Sequence, residues 1–308
     1  MVNLGVVILN WNGYKDTIEC LESIKSAVYE DFKLKVVVVD NASTDDSFGI
    51  ISNFQFPISN FQFEVIRNGE NMGFAGGNNV GIKIMQKEKV DYTLILNNDT
   101  LVDRNFFKEL LSYAKKNTKF GILSPKIYFA KGYEYHKKRY KRQDLGKVIW
   151  AAGGEMDWEN VFGKNQGVDV VDKGQYERIK EVDFSTGAAM LLSRKLIEKV
   201  GLFDDRYFMY FEDADLITRA LKSGFKNYYV PKAVVWHKVA RSSGIGSDLN
   251  DYFITRNRLL FGTMFAPLRS KLALYKESLR FIFNGRDWQK IGVRDFYLGK
   301  FGKGSWEN

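Results

Sequence analysis

Apolar runs that alternate with helical segments constrain the fold of this chain more than any other feature of its sequence. The runs "LGVVILN" and "LKVVVVD" are apolar almost throughout, and "YKDTIECLESIKSA" between them has apolar residues at helical spacing. Two further strand-like runs, "FEVIRN" and "DYTLILNND", each lead into another helical segment. Strands that are apolar on both faces are typical of a parallel sheet covered by helices. The sequence therefore predicts an α/β fold with a Rossmann-like, mostly parallel central sheet.

The second half of the chain is less regular. Residues from about 130 to 180 carry glycine, lysine and aromatic residues without clean periodicity, as long binding loops do. From Asp248 onward, "YFITRNRLLFGTMF" and "RSKLALYKESLRFIF" are amphipathic and basic, which predicts a helical carboxyl-terminal extension. The chain has 308 residues, 45% of them hydrophobic, and is long enough for one large domain with such an appendage.

The formal net charge of +9 suggests anionic partners. Between Asn250 and Asn308, 11 Lys and Arg residues outnumber 5 Asp and Glu, and a second basic cluster, "YHKKRYKR", covers Tyr135 to Arg142. Nucleic acid, an anionic membrane or a phosphorylated small molecule could explain this charge, and so could a solvated face. No pattern of an RNA- or DNA-binding module accompanies it, so we expect no nucleic-acid partner.

Cysteine content and the first residues bear on location. Cys20 is the only cysteine, so no intramolecular disulfide bond is possible, which fits a reducing compartment. The opening "MVNLGVVILNWNG" lacks the basic region of a signal peptide, and no stretch approaches the about 18 apolar residues of a membrane-spanning helix. We expect a cytoplasmic protein, with peripheral contact at the inner face of the cell membrane as one use of its basic region.

Polar residues follow the first two predicted strands where each one ends. "NWNG" supplies Asn10 and Asn12, and "DNASTD" begins with Asp40. In open α/β sheets, ligands bind outside the carboxyl ends of the strands. A carboxylate there can accept a hydrogen bond from a nucleobase N–H or a ribose hydroxyl, although Asp is also a common turn and helix-cap residue.

A glycine-rich segment, "NGENMGFAGGNNVG", follows the third predicted strand. Gly73, Gly76 and Gly77 would let a loop approach a ligand closely, and the start of the next helix would offer free N–H groups to an anion. The segment is not a dinucleotide-binding fingerprint, because that pattern follows the first strand. A tight turn explains the glycines equally well.

The fourth strand ends in "LNND", with Asn97, Asn98 and Asp99. Mg²⁺ and Mn²⁺ prefer oxygen ligands and often share them with substrate phosphates, but one carboxylate alone is a poor metal site. His237, at the end of "VVWH", is a ligand that could complete a Mn²⁺ site begun by Asp99. A histidine in that position is more often a structural residue with satisfied hydrogen bonds.

Three acidic residues follow an aromatic run in "YFMYFEDADLITRA". Glu212, Asp213 and Asp215 lie at the start of a predicted helix, where negative charge is favoured by the helix dipole. The functional alternative is a general base, because a carboxylate beside apolar walls can have a raised pKa.

Taken together and in order, these elements resemble the family 2 glycosyltransferases with the GT-A fold, above all their rhamnosyltransferase-like and galactofuranosyltransferase-like members. The resemblance covers roughly residues 4 to 245. It implies a catalytic domain over residues 1–245, with a nucleotide-binding half (1–125) and an acceptor-binding half (126–245), followed by the basic helical extension (246–308). The motifs that carry it are "VVILNWNG", "VVVVDNASTDDS", "NMGFAGGNNVGI", "LILNND", "STGAAMLLSRKLIEKVGLFDDRYFMYFEDADLITRALKSG" and "VPKAVVWHKVARSSG".

The resemblance implies a role for each candidate residue. Asp213 matches the catalytic base, Glu212 beside it would touch the acceptor, and Asp99 and His237 match metal-site residues for Mg²⁺ or Mn²⁺. Asn97 stands where the family has the first Asp of its Asp-x-Asp motif, a departure that bears on the strength of metal binding. The implied donor-nucleotide residues are Asn10, Asn12, Asp40, Asn71, Gly76, Asn79, Asn97 and Asn98.

The implied activity is inverting transfer of a sugar from a nucleotide-diphosphate sugar to a glycan or lipid-linked acceptor. dTDP-rhamnose or a UDP-sugar is the expected donor, and cell-surface polysaccharide or glycolipid synthesis is the usual setting. One alternative is a nucleotide-sugar or glycan-binding protein of the same fold without catalysis. A nicotinamide-dependent oxidoreductase is a further alternative, although the position of the glycines disfavours it.

Overall fold

The computed structural model describes residues 1–56, 61–239 and 247–306, and its centre is one large mixed sheet. The strands of the protein are β1 (Val2–Asn10), β2 (Phe32–Asp40), β3 (Phe61–Arg67), β4 (Tyr92–Asn97), β5 (Thr100–Val102), β6 (Phe120–Phe129), β7 (Ile149–Ala151), β8 (Gly154–Asp157), β9 (Phe162–Asn165), β10 (Lys180–Glu181), β11 (Ala189–Ser193) and β12 (Lys226–His237). The spatial order is β10, β12, β6, β11, β4, β1, β2, β3, with β5 beside β12 and β7 beside β6, while β8 and β9 form a separate pair.

Helices cover the sheet and continue beyond it at the carboxyl-terminal end. They are α1 (Tyr14–Lys25), α2 (Ser47–Ser52), α3 (Gly73–Lys87), α4 (Phe106–Lys116), α5 (Arg194–Val200), α6 (Glu212–Lys222), α7 (Asp248–Phe265), α8 (Leu268–Asn284) and α9 (Asp287–Tyr297). Within the described ranges, no helix combines the length and apolar character that crossing a bilayer requires.

Strand direction divides the sheet into two parts. Strands β4, β1, β2 and β3 pair in parallel, and β12 is parallel to β6. Strand β11 lies antiparallel between β4 and β6 and joins the two parts. The predicted α/β fold, with a mostly parallel sheet, flanking helices and carboxyl-terminal helices, is confirmed.

Two cores lie on opposite faces of the sheet, because successive side chains of a strand point to opposite sides. In β1, Val6 and Ile8 belong to the core that contains α1 and α4, whereas Val7 belongs to the core that contains α3, α6 and α7. These side chains are fully buried, and each contributes roughly 1.5–3 kcal/mol relative to an exposed position. Burial on both faces explains why the strands lack polar alternation.

Parallel pairing brings the polar ends of four strands side by side. Asn10 lies opposite Asp40, which in turn lies opposite Arg67 of β3. On the other side of β1, Leu9 lies opposite Asn97 of β4. The polar residues that the sequence places at the carboxyl ends of the strands are therefore neighbours at one edge of the sheet, and a ligand crevice there stays a prediction.

The glycine-rich segment is a loop only as far as Met72, and Gly73, Gly76 and Gly77 are helical, which corrects the prediction of a loop at these glycines. Helix α3 begins at Gly73, and the later glycines bring its backbone against the sheet. A Cβ atom on Gly77 would lie 2.4 Å from Leu9 Cδ1, and one on Gly81 would lie 2.3 Å from Val7 Cγ1. The glycines thus permit close helix–sheet packing.

The segment from 130 to 180 is also more regular than its sequence indicates. It contains β7, β8, β9 and the start of β10, with Lys126 of β6 paired to Asp172 at 2.7 Å. Its strands are two to four residues long, too short to show a periodic pattern. Trp150 and Phe162 from these strands reach the cavity described below.

The carboxyl-terminal helices are packed on the domain. Phe261 of α7 is fully buried in the same core as Ile217 of α6. Arg256 of α7 is also fully buried and donates to the carbonyl of Tyr207 at 3.1 Å. The basic extension predicted from residue 246 onward therefore shares its first described helix with the core of the domain.

Candidate active site

Two side chains from distant parts of the chain meet beside the end of β4. Nε2 of His237, the last residue of β12, lies 3.0 Å from Oδ1 of Asp99, which lies in the turn between β4 and β5. Antiparallel pairing of β5 with β12 places His237 opposite Thr100, and the N–H of Lys238 donates to the carbonyl of Asp99 at 2.9 Å. Strand pairing therefore brings the two predicted metal-site residues together.

A cavity of about 830 Å³ opens onto this pair. Asn97 lies on its wall beside Asp99, and Trp150 contacts His237 edge to face with ring centroids 4.7 Å apart. The wall also includes Phe74, Tyr135, Phe162, Phe184, Tyr210, Glu212, Asp213, Arg258, Leu274, Ser278, Phe281 and Arg286. A large, mainly apolar cavity with a few charged groups is the usual form of a small-molecule site.

Glu212 and Asp213 begin helix α6 on the wall of the same cavity. Asp213 accepts from the N–H of Gly187 at 3.0 Å and from that of Ala214 at 2.7 Å. Burial raises the pKa of Asp213. Burial, and secondly the charge of Asp213, raise the pKa of the Glu212 carboxyl well above its ordinary value. Oε2 of Glu212 is buried and has no hydrogen-bond partner among the described residues.

The third acidic residue, Asp215, has a structural role in α6. Asp215 is fully buried, and its Oδ2 accepts from Nε of Arg219 at 2.6 Å. Arg219 also donates to the carbonyls of Val200 and Leu202. Asp215 therefore holds Arg219, which anchors α6 to the segment after α5, and of the three acids only Glu212 and Asp213 line the cavity.

The backbone before α6 is strained. Phe208, Tyr210 and Phe211 have positive φ angles of 65°, 65° and 74°, a region that non-glycine residues rarely adopt. The side-chain amide of Asn257 holds this turn, because its Nδ2 donates to the carbonyls of Tyr207, Met209 and Tyr210 at 2.8, 2.7 and 2.9 Å.

Sequence analysis missed this role of α7. The available signal was an Arg-Asn pair, Arg256 and Asn257, within the apolar run "YFITRNRLLF". Both side chains are fully buried, and Nε of Arg256 donates to Oδ1 of Asn257 at 3.0 Å. Polar groups buried in this way require partners, and here the partners are main-chain carbonyls.

The predicted nucleotide residues at the ends of β1 and β2 form a connected network. Nδ2 of Asn10 donates to Oδ1 of Asp40 at 2.9 Å, and the N–H of Ser43 donates to Oδ2 of Asp40 at 3.1 Å. Thr17 donates to Oδ1 of Asn10 at 2.8 Å and accepts from Nδ2 of Asn98 at 3.1 Å. Asp40 is fully buried, and its hydrogen bonds order the loops that follow β1 and β2. Contact of Asp40 with a nucleobase stays a prediction.

Two more of the predicted residues order neighbouring loops. Oδ1 of Asn12, which has a positive φ angle of 51°, accepts from the N–H of Thr44 at 2.8 Å. Asn71 accepts from Nδ2 of Asn41 at 2.8 Å and from the N–H of Gly73 at 2.9 Å. Asn41, which sequence analysis did not single out, also accepts from Nδ2 of Asn68 at 3.0 Å.

Asn79 and the start of α3 do not lie as predicted. The amide of Asn79 exchanges two hydrogen bonds with the main chain of Phe203, at 2.9 and 3.0 Å, and is buried. It therefore docks α3 onto the segment after α5. The N–H groups of Gly73 and Ala75 bond to Asn71 and Phe208 instead of remaining free for an anion. Gly76 is a buried residue in the first turns of this helix.

Whether these residues suit a divalent cation depends on the donor set. No cluster of three or more His, Cys, Asp or Glu side chains with metal-binding geometry occurs in the described part of the chain. Asp99 and His237 nevertheless meet on the cavity wall, with the neutral amide of Asn97 nearby. Mg²⁺ and Mn²⁺ commonly use one or two protein ligands and take the remainder from water and substrate phosphates. The residues fit a cation held jointly with a diphosphate.

The fold and the site define a class of protein: an α/β domain with polar residues at the carboxyl edge of its sheet and, beside them, a mainly apolar cavity that holds Asp99, His237, Glu212 and Asp213. The family model for glycosyl transferase family 2 matches residues 5–201, more than half of the chain. The chain therefore belongs to glycosyl transferase family 2, as the motifs predict.

Two curated relatives have similar sequences. The chain is 27% identical over 219 residues to the low-salt glycan biosynthesis hexosyltransferase Agl10 of Haloferax volcanii, covering 71% of this chain and 61% of that protein. It is 27% identical over 225 residues to the N-acetylglucosaminyl-diphospho-decaprenol L-rhamnosyltransferase of Mycobacterium tuberculosis, covering 68% of each. The match thus spans under two thirds of the length of the Haloferax volcanii protein.

Solved structures with similar folds include GalNAc-T7 bound to UDP, GalNAc and Mn²⁺, with a TM-score of 0.68 and 16% identity over 97% of this chain and 55% of that one. The mannosyltransferase PcManGT of Pyrobaculum calidifontis, in complex with GDP-Man and Mn²⁺, has a TM-score of 0.54 and 16% identity over 96% of this chain and 74% of that one. At these identities the likeness establishes the fold, and the predicted GT-A fold is confirmed.

Proposed function

We propose that this protein transfers a sugar, with inversion, from a nucleotide-diphosphate sugar to a hydroxyl group of a glycan or lipid-linked acceptor. The observation that carries the proposal is one cavity whose wall holds both Asp213 and the Asp99–His237 pair. A base for the acceptor and a site for the leaving diphosphate are the two groups that such a transfer needs. Membership of glycosyl transferase family 2 supports the same reaction class.

Asp213 is the group we assign to the acceptor hydroxyl. As the hydroxyl oxygen attacks the anomeric carbon, its proton moves to the Asp213 carboxylate, and the bond between that carbon and the diphosphate oxygen breaks. Attack from the face opposite the leaving group inverts the anomeric carbon in a single displacement. The raised pKa of Asp213 makes it a stronger base than an exposed aspartate.

Asp99 and His237 are the groups we assign to Mg²⁺ or Mn²⁺ bound together with the donor diphosphate. Such a cation, when bound, neutralises the charge that develops on the leaving diphosphate. The partial exposure of Asn97, and its place on the cavity wall, suit contact with a sugar hydroxyl or phosphate oxygen. Asn10, Asn12, Asp40, Asn71 and Asn98 would shape the nucleotide pocket through the network described above.

dTDP-rhamnose or a UDP-sugar is the donor that we favour. The relative from Mycobacterium tuberculosis is named as an L-rhamnosyltransferase with a diphospho-decaprenol acceptor, and GalNAc-T7 was solved with UDP. The aromatic wall formed by Trp150, Phe162 and Tyr210 suits stacking against a sugar ring of the acceptor. We place the reaction in the synthesis of a cell-surface polysaccharide or glycolipid.

A screen of nucleotide sugars for hydrolysis, with and without Mg²⁺ or Mn²⁺, tests the proposal without knowledge of the acceptor. We expect one donor to be cleaved well above the others, in a cation-dependent manner. Donor binding without cleavage, and without transfer to any acceptor tried, would instead support a binding protein of the same fold. No binding of any nucleotide sugar would overturn the proposal.

A further inference from the structure

Helix α8 exposes a continuous apolar stripe. Its members recur every three or four residues and therefore share one face of the helix. The first and last are among the most exposed, with Leu268 at 73% and Phe283 at 77% of full exposure. The stripe consists of Leu268, Leu272, Tyr275, Leu279, Ile282 and Phe283.

The opposite side of α8 packs against the core of the domain. Leu274 is buried in the core, and Phe281 packs against that core from the cavity wall. Ser278 is buried and bonds to the carbonyl of Tyr275 at 2.8 Å. The outer stripe is thus additional apolar surface, and a contiguous patch of this kind marks an interaction surface.

The charges on α8 indicate the partner. Arg269, Lys276 and Arg280 are exposed beside the stripe. The single acidic residue of the helix, Glu277, is turned toward α7, where its Oε2 accepts from Arg258 at 2.6 Å. The outer surface of α8 therefore combines apolar side chains with exposed cations, while the one carboxylate of the helix, Glu277, is 37% exposed and paired with Arg258.

We propose that the outer face of α8 docks onto an anionic membrane surface. A helix with an apolar face and flanking Lys or Arg lies in the bilayer interface, with its apolar side chains in the acyl boundary and its cations at lipid phosphates. The long stems of Lys276 and Arg280 allow their charged ends to remain at headgroup level. A second copy of this chain would bring the same cations face to face, which opposes self-association through the stripe.

This docking has a consequence for the acceptor, which rests on the proposed function. Helix α8 contributes Leu274, Ser278 and Phe281 to the cavity wall while its other face carries the stripe. One helix thus separates the cavity of the candidate base Asp213 from the proposed bilayer surface. A lipid-linked acceptor would then reach the cavity without leaving the interface.

Vesicle co-sedimentation at low salt tests the docking, using phosphatidylcholine vesicles with and without phosphatidylglycerol. The apolar variant combines Leu272→Gln, Leu279→Gln and Phe283→Gln, and the charge variant combines Lys276→Gln and Arg280→Gln. None of these residues lines the cavity wall. The matched control, Ile50→Gln with Ile179→Gln, removes two exposed apolar side chains that lie outside α8.

We expect the wild type and the control to sediment with anionic vesicles and only weakly with neutral ones. The apolar variant should lose roughly tenfold or more in vesicle affinity, because three side chains no longer enter the bilayer. The charge variant should lose affinity several-fold, and added salt should remove the difference. Hydrolysis of a soluble donor should be unchanged in the apolar and charge variants, so the docking is tested independently of the catalytic proposal.

Three results would overturn the inference. The first is a wild type that does not sediment with anionic vesicles, and the second is an apolar variant that sediments as well as the wild type. The third is a wild type that light scattering shows to be a dimer and that becomes a monomer in the apolar variant, because the stripe would then bind a second copy.

Discussion

The side-chain amide of Asn257 donates to the carbonyl of Tyr210 at 2.9 Å and thereby joins α7 to the turn that presents Glu212 and Asp213. The same amide bonds to the carbonyls of Tyr207 and Met209. Tyr210 has a positive φ angle, so the turn depends on contacts from outside its own segment. A residue 47 positions beyond Tyr210 in sequence is therefore part of the support of the candidate base.

Replacement of Asn257 by Ala should damage both stability and turnover. The carbonyls of Met209 and Tyr210 would lose this buried donor, while that of Tyr207 would keep its bond from Arg256, and the loss costs on the order of 3 kcal/mol in the free energy of unfolding. At temperatures where the variant is folded, kcat should fall more than the donor KM rises, because Asp213 is displaced while the donor loops are intact. Chemical denaturation and transfer kinetics measure the two effects, with exposed Asn284→Ala as control. Unchanged kcat in a folded variant would limit Asn257 to a structural role.

Asp213→Asn should abolish sugar transfer while leaving donor binding intact. Loss of a general base lowers the rate by about a hundredfold or more. The isosteric amide keeps one acceptor oxygen for the N–H of Gly187 and loses the one that faces the N–H of Ala214, so the turn should persist with one hydrogen bond fewer. Exposed Asp205→Asn is the matched control from the same region. Transfer at the wild-type rate would show that another group takes the proton.

The strands and the acidic residues could be predicted from sequence because their signals are local. β1 and β2 are apolar on both faces, and Glu212 and Asp213 follow an aromatic run at a helix start. Asp99 and His237 could be paired from their ligand chemistry and from the family resemblance but not from any local pattern, since antiparallel pairing of β5 with β12 is not visible in either segment alone.

Asn79, Asn257 and the glycines of α3 show why the remainder could not be predicted. The sequence does not distinguish an asparagine that contacts a ligand from one whose side chain bonds to the main chain. The side chains of Asn79 and Asn257 both bond to main-chain carbonyls. Gly77 and Gly81 are compatible with a loop or with a helix packed tightly on a sheet. Only the positions of Leu9 and Val7 beneath them distinguish the two.

Glu212→Gln should stabilise the protein in a pH-dependent manner. The pKa of Glu212 is raised in the folded state, so the folded protein holds this proton more tightly than the unfolded chain does. Ionisation therefore costs stability as the pH rises from about 4.3, the ordinary glutamate value, through the raised pKa. Gln imitates the protonated form, so its advantage should be small at acid pH and larger at neutral pH.

Thermal unfolding of the wild type and Glu212→Gln across this pH range measures the effect. Exposed Glu198→Gln serves as the control for removal of one negative charge. An advantage of Glu212→Gln that does not grow with pH would contradict burial of an ionisable carboxyl at this position. The expected cost of the variant lies in acceptor binding, since Glu212 lines the cavity beside Asp213.

Binding of Mn²⁺ should be weak in the free protein and tighter when a nucleoside diphosphate is present. Asp99 and His237 supply two protein groups, and the remaining ligands must come from water and the diphosphate oxygens. Asp99→Asn or His237→Ala should therefore weaken Mn²⁺ binding in both conditions, by about tenfold or more where the diphosphate is bound. The paramagnetic resonance signal of free Mn²⁺ reports this binding without any turnover.

The second histidine of the chain supplies the control for this experiment. His136 is 52% exposed, lies 3.4 Å from Asp169 and does not line the cavity, so His136→Ala should bind Mn²⁺ as the wild type does. Equal loss in the His136 and His237 variants would point to nonspecific binding by imidazole. If nucleoside diphosphate fails to tighten Mn²⁺ binding in the wild type, the cation and the donor do not share this site, and the neutral Asn97 in place of a carboxylate is the physical reason to examine first.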